Sequence, residues 1–332
     1  MSVDINLIAE KCKVSKATVS RVFTHKAGVS ELVKERILKA ARELNYTPKQ
    51  MAPQDNIAII TGPRRLAEPS QFYPQLAADL IAAVTDRGYS IKIISVNQAD
   101  TLLAGYTKAA VLMAAGDALA GYEARLENLA IPLIAVNRVL PYAHSVCVDH
   151  YDEVKQAVAH LATRGHRKIV LVLDNDHDWA GKERIRGYRT TMQEYGLAPQ
   201  PEFSYLAYNC SMVEVMANVR KTEASAVVVC GEGIAAQTVY AANLLDIAVP
   251  DELSLITCEL KNFSQWFTPP HTAIDQCIDS LAGEIMGLIE TLRHEHPGGQ
   301  LIKMLSSKLI VRQTVKDINT SSPVLNHNNH KE

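Results

Sequence analysis

An export signal, a membrane span and the familiar catalytic signatures are all missing from this chain of 332 residues. No apolar run approaches the roughly 20 residues that cross a bilayer, and the polar, acid-containing start does not read as a signal peptide. A cytoplasmic protein is the expectation. G-x-S-x-G, H-E-x-x-H and G-x-x-x-x-G-K-[ST] do not occur, which removes the usual hydrolase, metalloprotease and phosphate-loop machinery. Glu232 and Glu259 could in principle act as a glycosidase pair, but each has a binding explanation, so no enzyme is expected. The six cysteines (Cys12, Cys147, Cys210, Cys230, Cys258, Cys277) form no C-x-x-C pair and meet no histidine at ligand spacing. Cys230 follows Val227-Val228-Val229, the setting of a buried free thiol in a reducing compartment. No metal and no cofactor are expected. The C-terminal stretch lacks apolar heptads, so it offers no coiled coil.

What is present is ordinary in bulk and uneven in distribution. Hydrophobic residues make up 47% and charged residues 21%, the balance of a globular protein with a large core and more than one domain. The net charge of −2 conceals an asymmetry. Residues 1–50 hold ten Lys and Arg against five Asp and Glu, and the rest holds 24 against 31. A basic head on an acidic body suits a head that meets a polyanion.

The head carries the sharpest motif. In Val14-Ser15-Lys16-Ala17-Thr18-Val19-Ser20-Arg21-Val22, Ser15 can cap a helix, and Val19 and Val22 share its inner face. Lys16, Ala17, Ser20 and Arg21 are left outside, as a helix lying in a DNA major groove requires. Ile5, Ile8 and Ala9 mark a preceding short helix, with Cys12-Lys13 at the turn between them. The pattern predicts a helix-turn-helix. Periodicity alone fits a charged surface helix equally well. A third helix starts after Ser30 and carries Val33, Ile37, Leu38 and Ala41 on its inner stripe.

Beyond residue 56 the pattern changes. Apolar strands (Ile57–Ile60, Ile91–Ile94, Ala110–Met113, Leu133–Val136, Ile169–Leu173, Ala226–Val229, Leu253–Ile256) alternate with amphipathic helices (Gln75–Arg87, the run after Asp149, Arg184–Tyr195, Gly233–Leu245). Such alternation means parallel sheets covered on both faces. Its length exceeds one doubly wound unit, so two α/β lobes are expected. The predicted boundaries are a head over 1–47, a linker over 48–56, a two-lobed body over 57–315 and a disordered tail over 316–332.

The head motif, continued by Val29-Ser30-Glu31, Arg36-Ile37 and Leu44-Asn45-Tyr46-Thr47-Pro48, resembles the DNA-binding head of the LacI/GalR family of bacterial transcription regulators. The body resembles the same family at Ile131-Pro132-Leu133-Ile134-Ala135-Val136-Asn137-Arg138, at Val148-Asp149 and at Arg164-Gly165-His166. The match resumes at Arg184-Ile185-Arg186-Gly187-Tyr188, Val249-Pro250-Asp251-Glu252-Leu253, Pro269-Pro270-His271-Thr272 and Leu309-Ile310-Val311-Arg312. It covers roughly residues 3–314 and implies an N-terminal all-α head plus a two-lobed, periplasmic-binding-protein-like, doubly wound α/β domain. It implies a homodimer on operator DNA, most often a repressor, governed by a small effector between the lobes: a sugar, sugar phosphate or similar metabolite.

Carried over by position, Lys16, Ala17 and Arg21 are base-contacting candidates. Ser15, Thr18 and Ser20 hold phosphate or pack, and Lys13 adds charge at the turn. In the body, Phe72 or Tyr73 would wall the effector site, with Asn137 and Asp149 near the cleft. Arg184 would be its main cationic donor, and Glu232 and Glu259 its acidic acceptors. Trp179 and Trp266 are read as loop residues whose rings could stack on a sugar. Each position also has a bland reading: Phe72 as core, Asp149 as a helix cap, the tryptophans as interface plugs.

Four departures from the family pattern matter. Lys13 stands where Gly is usual, and the turn is expected to adjust rather than hold Lys in a left-handed conformation. Ala52-Pro53-Gln54-Asp55 replaces the hinge segment whose Leu wedges into the minor groove, so no wedge and little kink are expected. Gly231-Glu232 replaces Asn-Asp, and Thr257-Cys258-Glu259 replaces Gly-Phe-Asp. The changed cleft keeps open an alternative, a constitutive DNA-binding dimer with a silent cleft. A sugar-binding protein on this scaffold would need an export signal and no head, the reverse of what is present.

Overall fold

The structure is a computed structural model. It describes residues 5–23, 28–44, 46, 55–62, 72–102, 107–114, 119–204, 211–231, 233–259, 261–295 and 298–319. The linker around 48–54, Glu232, Cys210 and the terminal 320–332 lie outside the described residues.

The head is three short helices around one small core: α1 (Ile5–Lys11), α2 (Lys16–Phe23) and α3 (Glu31–Glu43). Ile8, Val19 and Ile37, one from each helix, are completely buried together. Helices this short are marginal in water, so the apolar cluster holds them, not propensity. The expected inner faces are the observed ones, but the turn differs from expectation. Lys13 has φ 49°, in the left-handed region. The amides of Lys13 and Val14 bond back to Glu10 and Ala9 carbonyls at 3.0 Å each. Those two bonds close α1 and fix the geometry that glycine would adopt without strain.

The body is two lobes of alternating strands and helices. The first lobe has β1 (Asn56–Thr61), α4 (Phe72–Asp86), β2 (Ser90–Ser95), β3 (Thr107–Met113), α5 (Glu123–Glu127), β4 (Leu133–Val136) and β5 (His144–Val148). The second has α6 (His150–Thr163), β6 (Ile169–Leu173), α7 (Trp179–Glu194), β7 (Glu202–Ser204), α8 (Met212–Lys221), β8 (Ala226–Cys230), α9 (Ile234–Leu244), β9 (Ser254–Glu259) and β10 (Thr272–Asp275). The chain then returns to the first lobe as α10 (Ile278–His294) and β11 (Ile302–Leu305), and ends in the second with β12 (Lys308–Ile310).

Each lobe holds one six-stranded sheet, ordered β11-β5-β4-β3-β1-β2 and β12-β10-β9-β8-β6-β7. Among the described residues, all pairings are parallel except β10 with β12. Both faces of each sheet carry a core, as continuous apolar strands demand. In the first lobe α4 and α10 cover one face; in the second α6 and α7 cover one and α8 and α9 the other. The chain crosses between lobes three times: after β5, after β10, and between β11 and β12. Helices α6 and α7 press together at Gly187, where an added Cβ would lie 2.4 Å from the Tyr151 carbonyl oxygen.

Order continues four residues past the expected end of the body at 315. Ile318 N–H bonds the Arg164 carbonyl at 3.0 Å, and Asn319 Nδ2 bonds that of Thr163 at 2.9 Å. His166 Nε2 lies 3.0 Å from the Lys316 carbonyl. The Arg164-Gly165-His166 motif is therefore a dock for residues 316–319. Gly165 has φ 92°, and a Cβ there would stand 2.6 Å from the Asn319 side chain.

Candidate functional site

Ser15 closes the start of α2. Its Oγ accepts the Thr18 amide at 3.1 Å and shares a hydrogen bond of 2.8 Å with the Thr18 hydroxyl. Both hydroxyls are engaged in the cap, so their first role is to shape the helix. Lys16, Ala17, Ser20 and Arg21 are exposed while Val19 and Val22 are buried. One exposed face with two cations, one methyl and one hydroxyl can meet phosphates and base edges together. Lys13 stands beside it, exposed at the preceding turn.

The second lobe has a pocket at the C-terminal ends of β8, β9 and β10, where an α/β sheet usually receives ligands. Its walls include Gly231 and Gly233 after β8, Cys258 and Glu259 at the end of β9, Phe263, Ser264 and Phe267 beyond, and Gln276 after β10. Its cavity volume, as space for the centres of water-sized spheres, is about 60 Å³. Glu259 is buried, and its charge is balanced within the protein. Arg312 grips it with a two-pronged contact, Nη2 to Oε1 at 2.9 Å and Nη1 to Oε2 at 3.3 Å. The Ser264 amide donates to Oε2 at 2.9 Å. The glutamate is one methylene longer than the usual aspartate, and it reaches these partners.

Beneath this pocket lies a buried polar cluster. Glu153, in the first turn of α6, is 0% exposed and Arg184 of α7 is 4% exposed. Arg184 Nε donates to Glu153 Oε2 at 3.3 Å, and its Nη1 stands 3.6 Å from Asp174 Oδ1. Gln276 Nε2 donates to Glu153 Oε1 at 3.0 Å, and the Cys258 thiol contacts the same oxygen. His150 Nδ1 lies 2.5 Å from Oε2. Burial works against the Glu153 charge, but the Arg184 guanidinium, then His150, outweighs it and holds the carboxyl below its usual range. Burial, helped by Arg184, pushes His150 down. Its Nε2 is buried with no hydrogen-bond partner among the described residues. Burial, then the neighbouring Cys230, pushes the Cys258 thiol up. Asp174 also explains Gly231: a Cβ there would sit 2.3 Å from the Asp174 carboxyl carbon.

The sequence-predicted effector residues separate into groups. Glu259 lines the pocket. Arg184 is not among the pocket-lining residues; its Nε donates to Glu153 and its Nη1 lies 3.6 Å from Asp174. Phe72 is core rather than wall, 1% exposed at the start of α4. Tyr73 is half-buried and donates to the Ala114 carbonyl at 3.3 Å. Asn137 accepts the Val148 amide at 2.8 Å, a tie between the ends of β4 and β5. Asp149 caps α6 through the Asp152 amide at 3.0 Å. Trp179 is the first residue of α7, not a loop residue, and lies edge-on to His150. Trp266 is 77% exposed outside the lining, where Phe263 and Phe267 supply the aromatic rings. Glu232 lies outside the described residues.

Sequence reasoning missed His150, Glu153, Asp174, Gln276 and Arg312 as parts of this region. An available signal for the first two was Asp149-His150-Tyr151-Asp152-Glu153, a cap followed by a His/Glu pair one helical turn apart. Cys12, Cys147, Cys230 and Cys258 are buried free thiols, as expected, and Cys277 is half-buried.

Residues 4–49 match the description "Bacterial regulatory proteins, lacI family". Residues 78–219 match "Periplasmic binding proteins and sugar binding domain of LacI family", and 158–315 match "Periplasmic binding protein-like domain". The chain belongs to the LacI family of bacterial regulatory proteins. It is similar to the NTD biosynthesis operon regulator NtdR of Bacillus subtilis (strain 168), 28% identical over 93% of this chain and 99% of that one. It is similar to the HTH-type transcriptional repressor CytR of Escherichia coli (strain K12), 24% identical over 93% and 95%. Its LacI-like fold is shared with the lac repressor dimer bound to operator and the anti-inducer ONPF, at TM-score 0.76, 20% identity, and coverage of 95% and 100%. It is also shared with the CelR–cellobiose complex, at TM-score 0.66, 19% identity, and coverage of 94% and 99%. Like its LacI-family relatives, the protein is a transcription regulator.

Proposed function

We propose that the protein represses transcription as a cytoplasmic homodimer, its two α2 helices lying in successive major grooves of an operator, and that a small effector in the second-lobe pocket changes operator affinity. The observation carrying this reading is the exposed Lys16, Ala17, Ser20 and Arg21 face on a helix locked by Ser15. Two-fold symmetry then sets pseudo-palindromic half-sites. The effector is a neutral sugar or related metabolite. Ser264 and Gln276 offer hydrogen bonds to hydroxyls, and Phe263 and Phe267 offer faces for a ring. Lobe closure on the ligand is the means of coupling, because the three interlobe crossings permit bending. No catalytic step is proposed.

One observation favours a second reading, a constitutive DNA-binding dimer. Arg184 and Arg312 are both held by internal carboxylates. A thermal-shift screen of neutral sugars, sugar phosphates and nucleosides separates the two. A regulator gains stability with one chemical class as the logarithm of ligand concentration. A constitutive dimer gains with none while still shifting DNA from upstream of its own gene. Loss of both properties would sink both readings.

A further inference from the structure

The two cysteines at the ends of β8 and β9 are neighbours in space. Val229 of β8 pairs with Thr257 of β9, so the next residues, Cys230 and Cys258, come side by side on adjacent parallel strands. Glu153 of α6 closes the group from above the sheet. One ligand atom from each of Glu153, Cys230 and Cys258 lies within 4.8 Å of the other two, and all three side chains are buried. In a tetrahedral site with zinc–sulfur bonds near 2.3 Å and zinc–oxygen bonds near 2.0 Å, donor atoms stand about 3.5–4 Å apart. The Cys258 sulfur and the Glu153 oxygen stand 2.5 Å apart, so rotamer shifts of about 1 Å open the space for the ion. We propose that Glu153, Cys230 and Cys258 form a binding site for a thiophilic divalent cation of the zinc class, beneath the floor of the ligand pocket.

Two sulfurs and one oxygen select a soft or borderline cation over magnesium or calcium. The charge balance permits the site beside Arg184. The dication displaces one proton from each thiol, so two protons leave as two positive charges enter, and the buried net charge is unchanged. Arg184 already holds the second Glu153 oxygen, as supporting groups orient metal-bound carboxylates. Cys258 and Gln276 both line the pocket, which supplies the route in.

The test uses the reduced, full-length protein and cobalt(II) as a spectroscopic probe. The expected result is a sulfur-to-cobalt charge-transfer band saturating at one ion per chain, with two protons released per ion in weakly buffered solution. Zinc should displace the cobalt and bleach the band. Cys230→Ser and Cys258→Ser should each remove it, and Cys277→Ser should leave it intact. Cobalt held only by the histidines near the C-terminus gives no sulfur band. Because a serine variant can misfold, the wild-type protein supplies a second readout. Zinc should protect Cys230 and Cys258, but not Cys277, from alkylation as mapped by mass spectrometry. Absence of a one-to-one sulfur band in the wild type overturns the proposal, as does its survival in the Cys230→Ser/Cys258→Ser double variant or equal alkylation with and without zinc.

Discussion

Arg184 Nε meets Glu153 Oε2 at 3.3 Å in a place where neither side chain is appreciably exposed. The cation that the family resemblance assigns to an effector is thus held by a carboxylate of the chain itself. Removing one partner leaves a buried charge uncompensated, which costs about 3–5 kcal/mol. Arg184→Met alone should lower stability by that order in urea unfolding. The Glu153→Leu/Arg184→Met double variant should recover most of it. A double variant no more stable than Arg184→Met would contradict the pairing.

Lys13 holds a left-handed backbone that glycine adopts freely. Lys13→Gly should stabilise the head by roughly 0.5–1 kcal/mol. The same change removes a cation beside α2, so DNA binding should weaken for all sequences and the salt slope should flatten by about one unit. The two effects have opposite signs, and unfolding and gel-shift titrations read them separately.

Arg21 lies on the exposed face of α2. Arg21→Ala should cost about 1–3 kcal/mol of discrimination at one base pair in each half-site while leaving nonspecific affinity nearly unchanged. Selection of binding sites from a random DNA pool provides the measurement. An unchanged site preference would remove α2 as the reading element.

Much of this architecture was legible because its causes are local. The inner stripe of α2 and the apolar strands β1, β3, β6 and β8 follow from periodicity and from burial on both faces. Short β7, β10, β11 and β12 depend on pairing with distant strands, and no local pattern announces them. The 17-residue α10 was missed although eight of its residues are buried. Its apolar face becomes meaningful only once the chain is known to return to the first lobe. The site was half legible for the same reason. Glu259 and Arg184 sit in recognisable motifs, but their charges are answered by Arg312 and Glu153, from remote parts of the chain. Lys13 shows the reverse: the residue type argued against a conformation that two backbone hydrogen bonds impose.

Gly165 is fixed both by its positive φ and by the Asn319 side chain against it. Gly165→Ala should destabilise the second lobe by about 1–3 kcal/mol and loosen the segment after Lys316. Hydrogen exchange at the Ile318 amide, which bonds Arg164, should accelerate. Exchange as slow as in the wild type would show that the dock tolerates a side chain.

Burial, then Arg312, holds His271 at a pKa of about 4, and burial, then Arg164, holds His160 at about 4. The ordinary value for both is 6.5. The unfolded chain therefore binds more protons between these limits, and stability falls as pH drops from 6.5 toward 4, with little effect above or below. His271 is 2% exposed, and its share is about 3 kcal/mol at one pKa unit per 1.36 kcal/mol. His271→Phe keeps a ring on Phe267, 4.4 Å away in the native stack, and should flatten the acid side of the stability profile. A profile as steep as the wild type's would assign the acid sensitivity elsewhere.

Arg312 reaches back from near the C-terminus to neutralise Glu259 in the pocket wall. During synthesis, the pocket is assembled without its counter-ion until Arg312 has left the ribosome. A truncated product that stops before Arg312 can carry an intact DNA-reading head and still lack a finished sensor. Premature termination in this region would therefore yield deaf regulators rather than merely shorter ones.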